Sequence, residues 1–246
     1  GLASLISKIP AKNRLADFPH YLMHRAEQLD NLYIFKNTEG TPENIRKFHP
    51  NIIVSSTGSA PLLPPIAGLK DRIDNENHNI YSILGMISHI NDFPKDLEGK
   101  KVVVVGGGAV GLDVVEFFAD RNADISIVEM MDQIGRDLDP VSKNDTKTMM
   151  KKHNVHQLTK TALLEVKDSS FLVRGDGEPY ELPFEYGFVC LGMRAQGQLY
   201  QNLTEEFSSE DVEIMNIGDS QRARRIIDGT QEGRNILTVL EQKGYL

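Results

Sequence analysis

The stretch KVVVVGGGAVGLDVVEFF, residues 101–118, decides the fold. Residues 101–105 are a β-branched run that ends in glycine, the pattern of a strand buried on both faces. Beyond the glycines, Val110, Val114, Phe117 and Phe118 recur at i, i+4, i+7 and i+8, which is helical spacing. DISIVE, residues 124–129, reads as a second strand. Strand, glycine turn, helix, strand is the order that requires a parallel, doubly wound α/β sheet.

Within that unit Gly106, Gly108 and Gly111 fit G-x-G-x-x-G, in the one context that gives the match weight: after a strand and at the start of a helix. Gly106 allows the tight turn, Gly108 lets main-chain amides approach a diphosphate, and Gly111 lets helix and strand close up. Gly107, Ala109 and Val110 complete the loop. Its free amides and the positive end of the helix dipole suit an anion. Glu129 ends the next strand, eighteen residues after Gly111. From there its carboxylate can accept hydrogen bonds from the ribose hydroxyls of an adenosine, each contributing about 1.5–3 kcal/mol. The same charge repels a 2′-phosphate, and Met130 and Met131 bring no cation, so NAD(H) is expected over NADP(H). Arg136 is the nearby cation that pulls the other way. The alternative is a glycine turn that holds no nucleotide.

Composition narrows the rest. The 246 residues are 40% hydrophobic and 25% charged with a formal charge of −8, which suits a globular domain and neither nucleic acid nor an anionic membrane. Apolar runs fall well short of the ~18 residues a membrane helix needs, and residues 1–14 lack a signal-peptide core. The single cysteine, Cys190, excludes an internal disulfide, a redox-active pair and a cysteine-ligated iron–sulfur cluster within this chain. A cytoplasmic location is the expectation. A homo-oligomer is left open.

Two punctuated segments divide the chain. GSAPLLPPIAG (58–68), with prolines 61, 64 and 65, continues neither strand nor helix, and GMRAQGQ (192–198) ends an apolar strand before a polar helical stretch. Between them the sequence predicts a helix over 141–153 and strands near 155–159, 162–167, 170–174 and 187–192. In the flanks it predicts strands over 31–37 (NLYIFKN), 51–58 and 212–219, with helices over 14–29 and 222–242. Strand-rich flanks around a complete βαβ block imply one domain inserted in another. The boundaries are residues 1–67 and 198–246 for the outer domain and 68–197 for the inserted one.

Beside VSSTGSAPLLPPIAG, VCLGMRA and NIGDSQRARRIIDGTQEG, the glycine unit resembles the two-dinucleotide flavoprotein reductases. It is most similar to the C-terminal region of old yellow enzyme-type NADH:flavin oxidoreductases, the enoate and 2,4-dienoyl-CoA reductase group. The resemblance implies a Rossmann-like NAD domain inserted in an FAD domain that is only partial here. It implies that Thr57 and Gly58 lie beside FAD, that Gly192 lies beside the nicotinamide half, and that Gly218 and Asp219 contact the FAD ribityl or diphosphate. Each could instead be a plain strand-end turn, with Asp219 capping the following helix. Asp113 falls where such reductases often place a glutamate near the nicotinamide–flavin contact.

The departure from that family lies at the start. No first βαβ unit with its own glycine loop precedes Gly1, and neither the FMN barrel nor its iron–sulfur cysteines are in this sequence. The chain therefore reads as a fragment of a longer flavoenzyme, expressed on its own or, less simply, reduced in a natural gene. Its expected partners are a nicotinamide dinucleotide and the missing N-terminal barrel. The rival reading is a static adenine-nucleotide or interdomain scaffold that passes no electrons. A thiol–disulfide reductase is excluded by the lack of paired cysteines.

Other features carry less. His20 and His24 have a metal-compatible spacing but no third ligand nearby, and His153 with His156 carries less still. Cys190 reads as a buried, inert thiol and Met149 and Met150 as core; Arg222, Arg224 and Arg225 read as solvated charges, the alternative being a face toward an absent domain or a flavin phosphate. No metal site and no Ser–His–Asp or carboxylate-pair catalytic set is expected.

Overall fold

A computed structural model describes residues 1–245 and resolves them into two compact units. One holds residues 2–19 and 61–192, the other Gly1, 20–60 and 193–245.

The first unit is built on a five-stranded parallel sheet. Its strands run in the order Ile80–Tyr81, Tyr186–Val189, Lys101–Val105, Asp124–Val128, His156–Leu158. The helix Ala109–Ala119 makes the crossover from the third strand to the fourth, and Pro140–Lys152 the crossover from the fourth to the fifth. The four-valine run of the central strand explains itself. Val102 to Val105 are 0–3% exposed, because successive side chains enter opposite layers. Val103 and Val105 join Val128, Phe171, Val173 and Val189 on one face. On the aromatic side Phe118 lies 4.8 Å from Phe188 and 5.1 Å from Phe93, ring centre to ring centre. Each such buried phenylalanine contributes about 1.5–3 kcal/mol. A three-stranded antiparallel sheet, Ala162–Val166, Ser170–Arg174 and Tyr180–Pro183, supplies part of the first layer.

Residues 2–19, which the sequence assigns to the outer domain, belong to this unit. Ile9 is 1% exposed, and Lys12 reaches Asp113. Pro10 opens a 3-10 turn, Pro10–Ala16, so the expected helix over 14–29 is α-helical only over Asp17–Ala26.

In the other unit Ile52–Ser55 pairs in parallel with Glu213–Asn216. Ile53, Leu203 and Phe207 form its small core. Arg46 packs over the Phe207 ring at 4.7 Å and reaches Glu206 at 2.7 Å. Two expectations fail here. Residues 31–37 form no strand: Tyr33 is 79% and Phe35 59% exposed, and among the described residues no strand pairs with them. The helix over 222–242 is two helices, Ile226–Arg234 and Ile236–Gln242, parted at Asn235.

Candidate dinucleotide site

The glycine loop sits at the C-terminal end of the central strand, where doubly wound sheets take their ligands. Gly106 has φ 109°, and a Cβ there would lie 2.1 Å from the Cys190 carbonyl oxygen. At Gly111 a Cβ would lie 1.9 Å from the Gly106 carbonyl oxygen, so neither position accepts a side chain. Gly108 differs: it is exposed, and a Cβ there meets nothing within 4 Å. The open space in front of it is where a ligand would approach. The first intrahelical bond runs from the Leu112 N–H to the Gly108 carbonyl at 3.0 Å, and no side chain caps the helix. The amides of the preceding turn, including those of Ala109 and Val110, thus have no intrahelical partner and suit a diphosphate.

Glu129 lies at this loop, but it does more than face outward. One carboxylate oxygen, Oε2, accepts the Gly107 N–H at 2.7 Å, and Oε1 accepts the Met131 N–H at 2.7 Å. A carboxylate has about four acceptor sites, so both amides leave capacity for a ribose diol. Met130 is 68% and Met131 40% exposed beside it. Arg136 is exposed on the segment that follows.

Asp113, on the outer turn of the loop's helix, is paired. Lys12 Nζ lies 3.1 Å from Asp113 Oδ1 and 3.3 Å from Glu116 Oε2. Burial raises the Asp113 carboxyl above its ordinary value, against the opposing pull of Lys12. For Lys12 burial acts downward, and the two carboxylates outweigh it, so the ammonium is raised. Lys12 was not foreseen. Lys8 and Arg14 stand close to it in sequence, and no local pattern ties one of these cations to a residue so far along the chain.

Gly192 has φ 104° and accepts the Leu62 N–H at 2.9 Å, while Cys190, 6% exposed, donates its N–H to Val105 at 2.7 Å. Burial pushes its thiol up to about 12.

In the other unit, the motif residues lie just beyond the ends of the two parallel strands. Thr57 Oγ1 donates to the Gln196 carbonyl at 2.5 Å, and Gly58, at φ 78°, accepts the Gln196 N–H at 2.9 Å. Asp219 accepts Ser59 Oγ and the Arg224 N–H, each at 3.0 Å. Gly218, at φ 66°, donates its N–H to Glu232 Oε2 at 2.6 Å, and Arg224 holds the other oxygen of Glu232 at 2.5 Å. Asp219 thus fastens its own loop. Among the described residues this unit has no second G-x-G-x-x-G between a strand and a helix to cradle another diphosphate.

His20 and His24 are exposed, with His24 against Gln28 at 3.2 Å; among the described residues no cluster of three ligating side chains occurs. Among them, too, no helix is long and apolar enough to cross a membrane. Met150 is buried and Met149 partly so.

Parallel sheet, crossover helix and open glycine loop define a Rossmann-like dinucleotide-binding protein. The family model described as pyridine nucleotide-disulphide oxidoreductase matches residues 24–215, and the chain belongs to that family. It is 26% identical to a metal reductase of Desulforamulus reducens (strain ATCC BAA-1160 / DSM 100696 / MI-1), over 89% of this chain and 36% of that protein. It is 24% identical to an NADH oxidase of Thermoanaerobacter brockii, over 95% of this chain and 34% of that protein. The chain therefore spans about a third of the length of these curated relatives. Among solved structures, a 2-naphthoyl-CoA reductase complex shares the fold, with a TM-score of 0.77 at 22% identity over 95% of this chain and 33% of that one. The chain is thus an oxidoreductase-family module of the FAD/NAD flavoprotein fold.

Proposed function

We propose that the chain is the NADH-binding module of a flavin-dependent oxidoreductase of the old yellow enzyme-type group. The observation that carries this reading is the loop at 106–111. It has two glycines that admit no Cβ, one glycine open to a ligand, and a carboxylate already oriented beside it.

The residues fit NAD(H). The amides of Gly108, Ala109 and Val110 would bind the diphosphate, and Glu129 the adenosine ribose. Gly192, beyond the end of the neighbouring strand, would stand beside the nicotinamide half. Asp113, on the same helix, is the charged group nearby and is held by Lys12 of the N-terminal segment. When bound, NADH supplies a hydride; the chain's own part is to hold the coenzyme and fix its orientation.

In the intact enzyme we assign the acceptor to FAD, with Thr57, Gly58, Gly218 and Asp219 on its ribityl or diphosphate side. Those four residues are largely satisfied by one another's neighbours, so the fit to FAD is weaker than the fit to NAD(H). An iron–sulfur cluster and FMN would belong to an N-terminal barrel outside this sequence and would supply the chemistry for reducing an unsaturated carbon–carbon substrate. By itself the chain then binds NADH weakly, FAD poorly, and turns nothing over.

Calorimetric titration of the chain with NADH and ADP tests this. NADH should bind more tightly than ADP, because the nicotinamide half is used. Equal affinities indicate a static adenine-nucleotide scaffold, and no heat with either overturns the site. Flavin retained stoichiometrically through gel filtration contradicts the expected weak hold on FAD.

A further inference from the structure

Gly107 is the one loop residue whose peptide groups are held from both ends by the segment that follows the second sheet strand of the βαβ unit. Its N–H goes to Glu129 Oε2 at 2.7 Å, and its carbonyl accepts the Gly135 N–H at 2.7 Å. The clamp is itself anchored. Glu129 donates its N–H to Leu158 and accepts that of Thr161, and Met131 accepts the Lys160 N–H, all at 2.9 Å. Ile134, 9% exposed, closes on the same spot: a Cβ on Gly107 would lie 3.1 Å from its Cγ1 and 3.0 Å from Glu129 Oε2.

Gly135 makes this reach by standing at φ 66°, in the left-handed region, with the Leu138 N–H returning to its carbonyl at 3.1 Å. A side chain is disfavoured there by the backbone itself, and its Cβ would press on Leu138 Cδ1 at 3.1 Å. Gly135 is buried, and its amide fixes the carbonyl of the Gly107–Gly108 peptide. That peptide carries the Gly108 N–H, the first amide of the cradle.

We propose that Gly135 is a positioning residue for the nucleotide diphosphate: it locks the Gly107 carbonyl so that the Gly108 N–H and the amides after it point at the phosphates. The proposal rests on the reading of 106–111 as a dinucleotide cradle and adds a residue to it. The Glu129 end of the clamp belongs to the ribose side, whereas the Gly135 end holds only the Gly107 carbonyl, so loosening the Gly135 end must weaken diphosphate ligands more than adenosine.

The test uses the whole chain with Gly135→Ala and Gly135→Asn, asparagine being the residue that tolerates the left-handed region best after glycine. Gly177→Ala, at a position open to solvent and without positive φ, is the control. Affinities for adenosine and ADP are read by NMR titration and calorimetry, beside thermal midpoints. Gly135→Ala should weaken ADP about tenfold, the loss of one charge-assisted hydrogen bond, and leave adenosine unchanged; Gly135→Asn, which keeps the same Cβ against Leu138, should weaken ADP at least as much. If Gly135→Ala does not fold, Ile134→Ala takes its place with the same expected split. Unchanged ADP affinity, or equal weakening of ADP and adenosine, overturns the positioning role. A wild-type chain that binds neither ADP nor NADH overturns the cradle reading instead.

Discussion

Lys12 Nζ stands 3.1 Å from Asp113 Oδ1, tying the N-terminal segment to the helix that opens on the glycine loop. Both partners are less than a third exposed, at 30% and 24%, so the pair is worth the upper end of the surface range, about 1 kcal/mol. Lys12→Met should lower the thermal midpoint at neutral pH accordingly. The pH dependence has a definite sign. The folded-state value of Asp113 is raised, so its contribution is fully present below its ordinary pH range and is lost as pH rises through the folded value. Removing Lys12 raises that value further. The penalty of Lys12→Met should therefore be small near pH 4 and grow toward pH 7. A penalty independent of pH over that range contradicts the pairing.

The loop glycines make a sharper prediction, because they divide by what surrounds them. Gly111→Ala drives a Cβ to 1.9 Å from a backbone oxygen, and no side-chain rotation relieves it. It should cost about 3 kcal/mol or more. Gly108→Ala meets open space at an ordinary φ of −79°, so stability should change by less than ~0.5 kcal/mol. Its methyl group fills the approach to the amides instead, and NADH affinity should fall about tenfold. Thermal unfolding and NADH titration of the two variants separate packing from binding. Equal stability losses would refute the division.

Glu129 joins loop architecture to nucleotide choice. Glu129→Gln keeps the shape but presents an NH2 group to one of two donor amides, so one of the 2.7 Å bonds must break. Glu129→Ala removes both. Each should weaken NADH, Glu129→Ala by about tenfold or more, and Glu129→Ala should narrow the preference over NADPH as the repelling charge goes. Parallel titrations with the two coenzymes check this. Unchanged affinity for both removes the residue from the site.

What was legible in the sequence was whatever local chemistry alone can determine. Val102–Val105 followed by three glycines has few ways to fold, because a β-branched run buried on both faces needs crossovers on each side. NLYIFKN looks equally strand-like, yet Tyr33 and Phe35 stay exposed, since side-chain preference makes no ladder without a partner strand. The break at Asn235 escaped because the apolar spacing runs through it, and spacing reports which face is buried without reporting where a backbone turns. The Lys12–Asp113 pair and the Gly135 clamp were invisible for a different reason. Both join residues through the folded chain, and the value of Gly135 lies in a φ angle that its neighbours do not announce.

Cys190 shows what the sheet does to a reactive side chain. The thiol is 6% exposed just past the end of the strand beside the central one, and burial pushes it up to about 12, so the thiolate fraction at neutral pH is negligible. Its backbone matters more than its sulfur. The N–H bonds to Val105 at 2.7 Å, and the carbonyl is the atom that forbids a Cβ at Gly106. Cys190→Ala should therefore leave NADH affinity intact and lower stability only by the lost packing, about 1 kcal/mol. In the native protein at pH 7.5 a thiol reagent such as iodoacetamide should give no adduct on the timescale that labels the denatured chain fully. Rapid native labelling, or a loss of NADH binding in Cys190→Ala, would place the sulfur in the site and contradict its structural role.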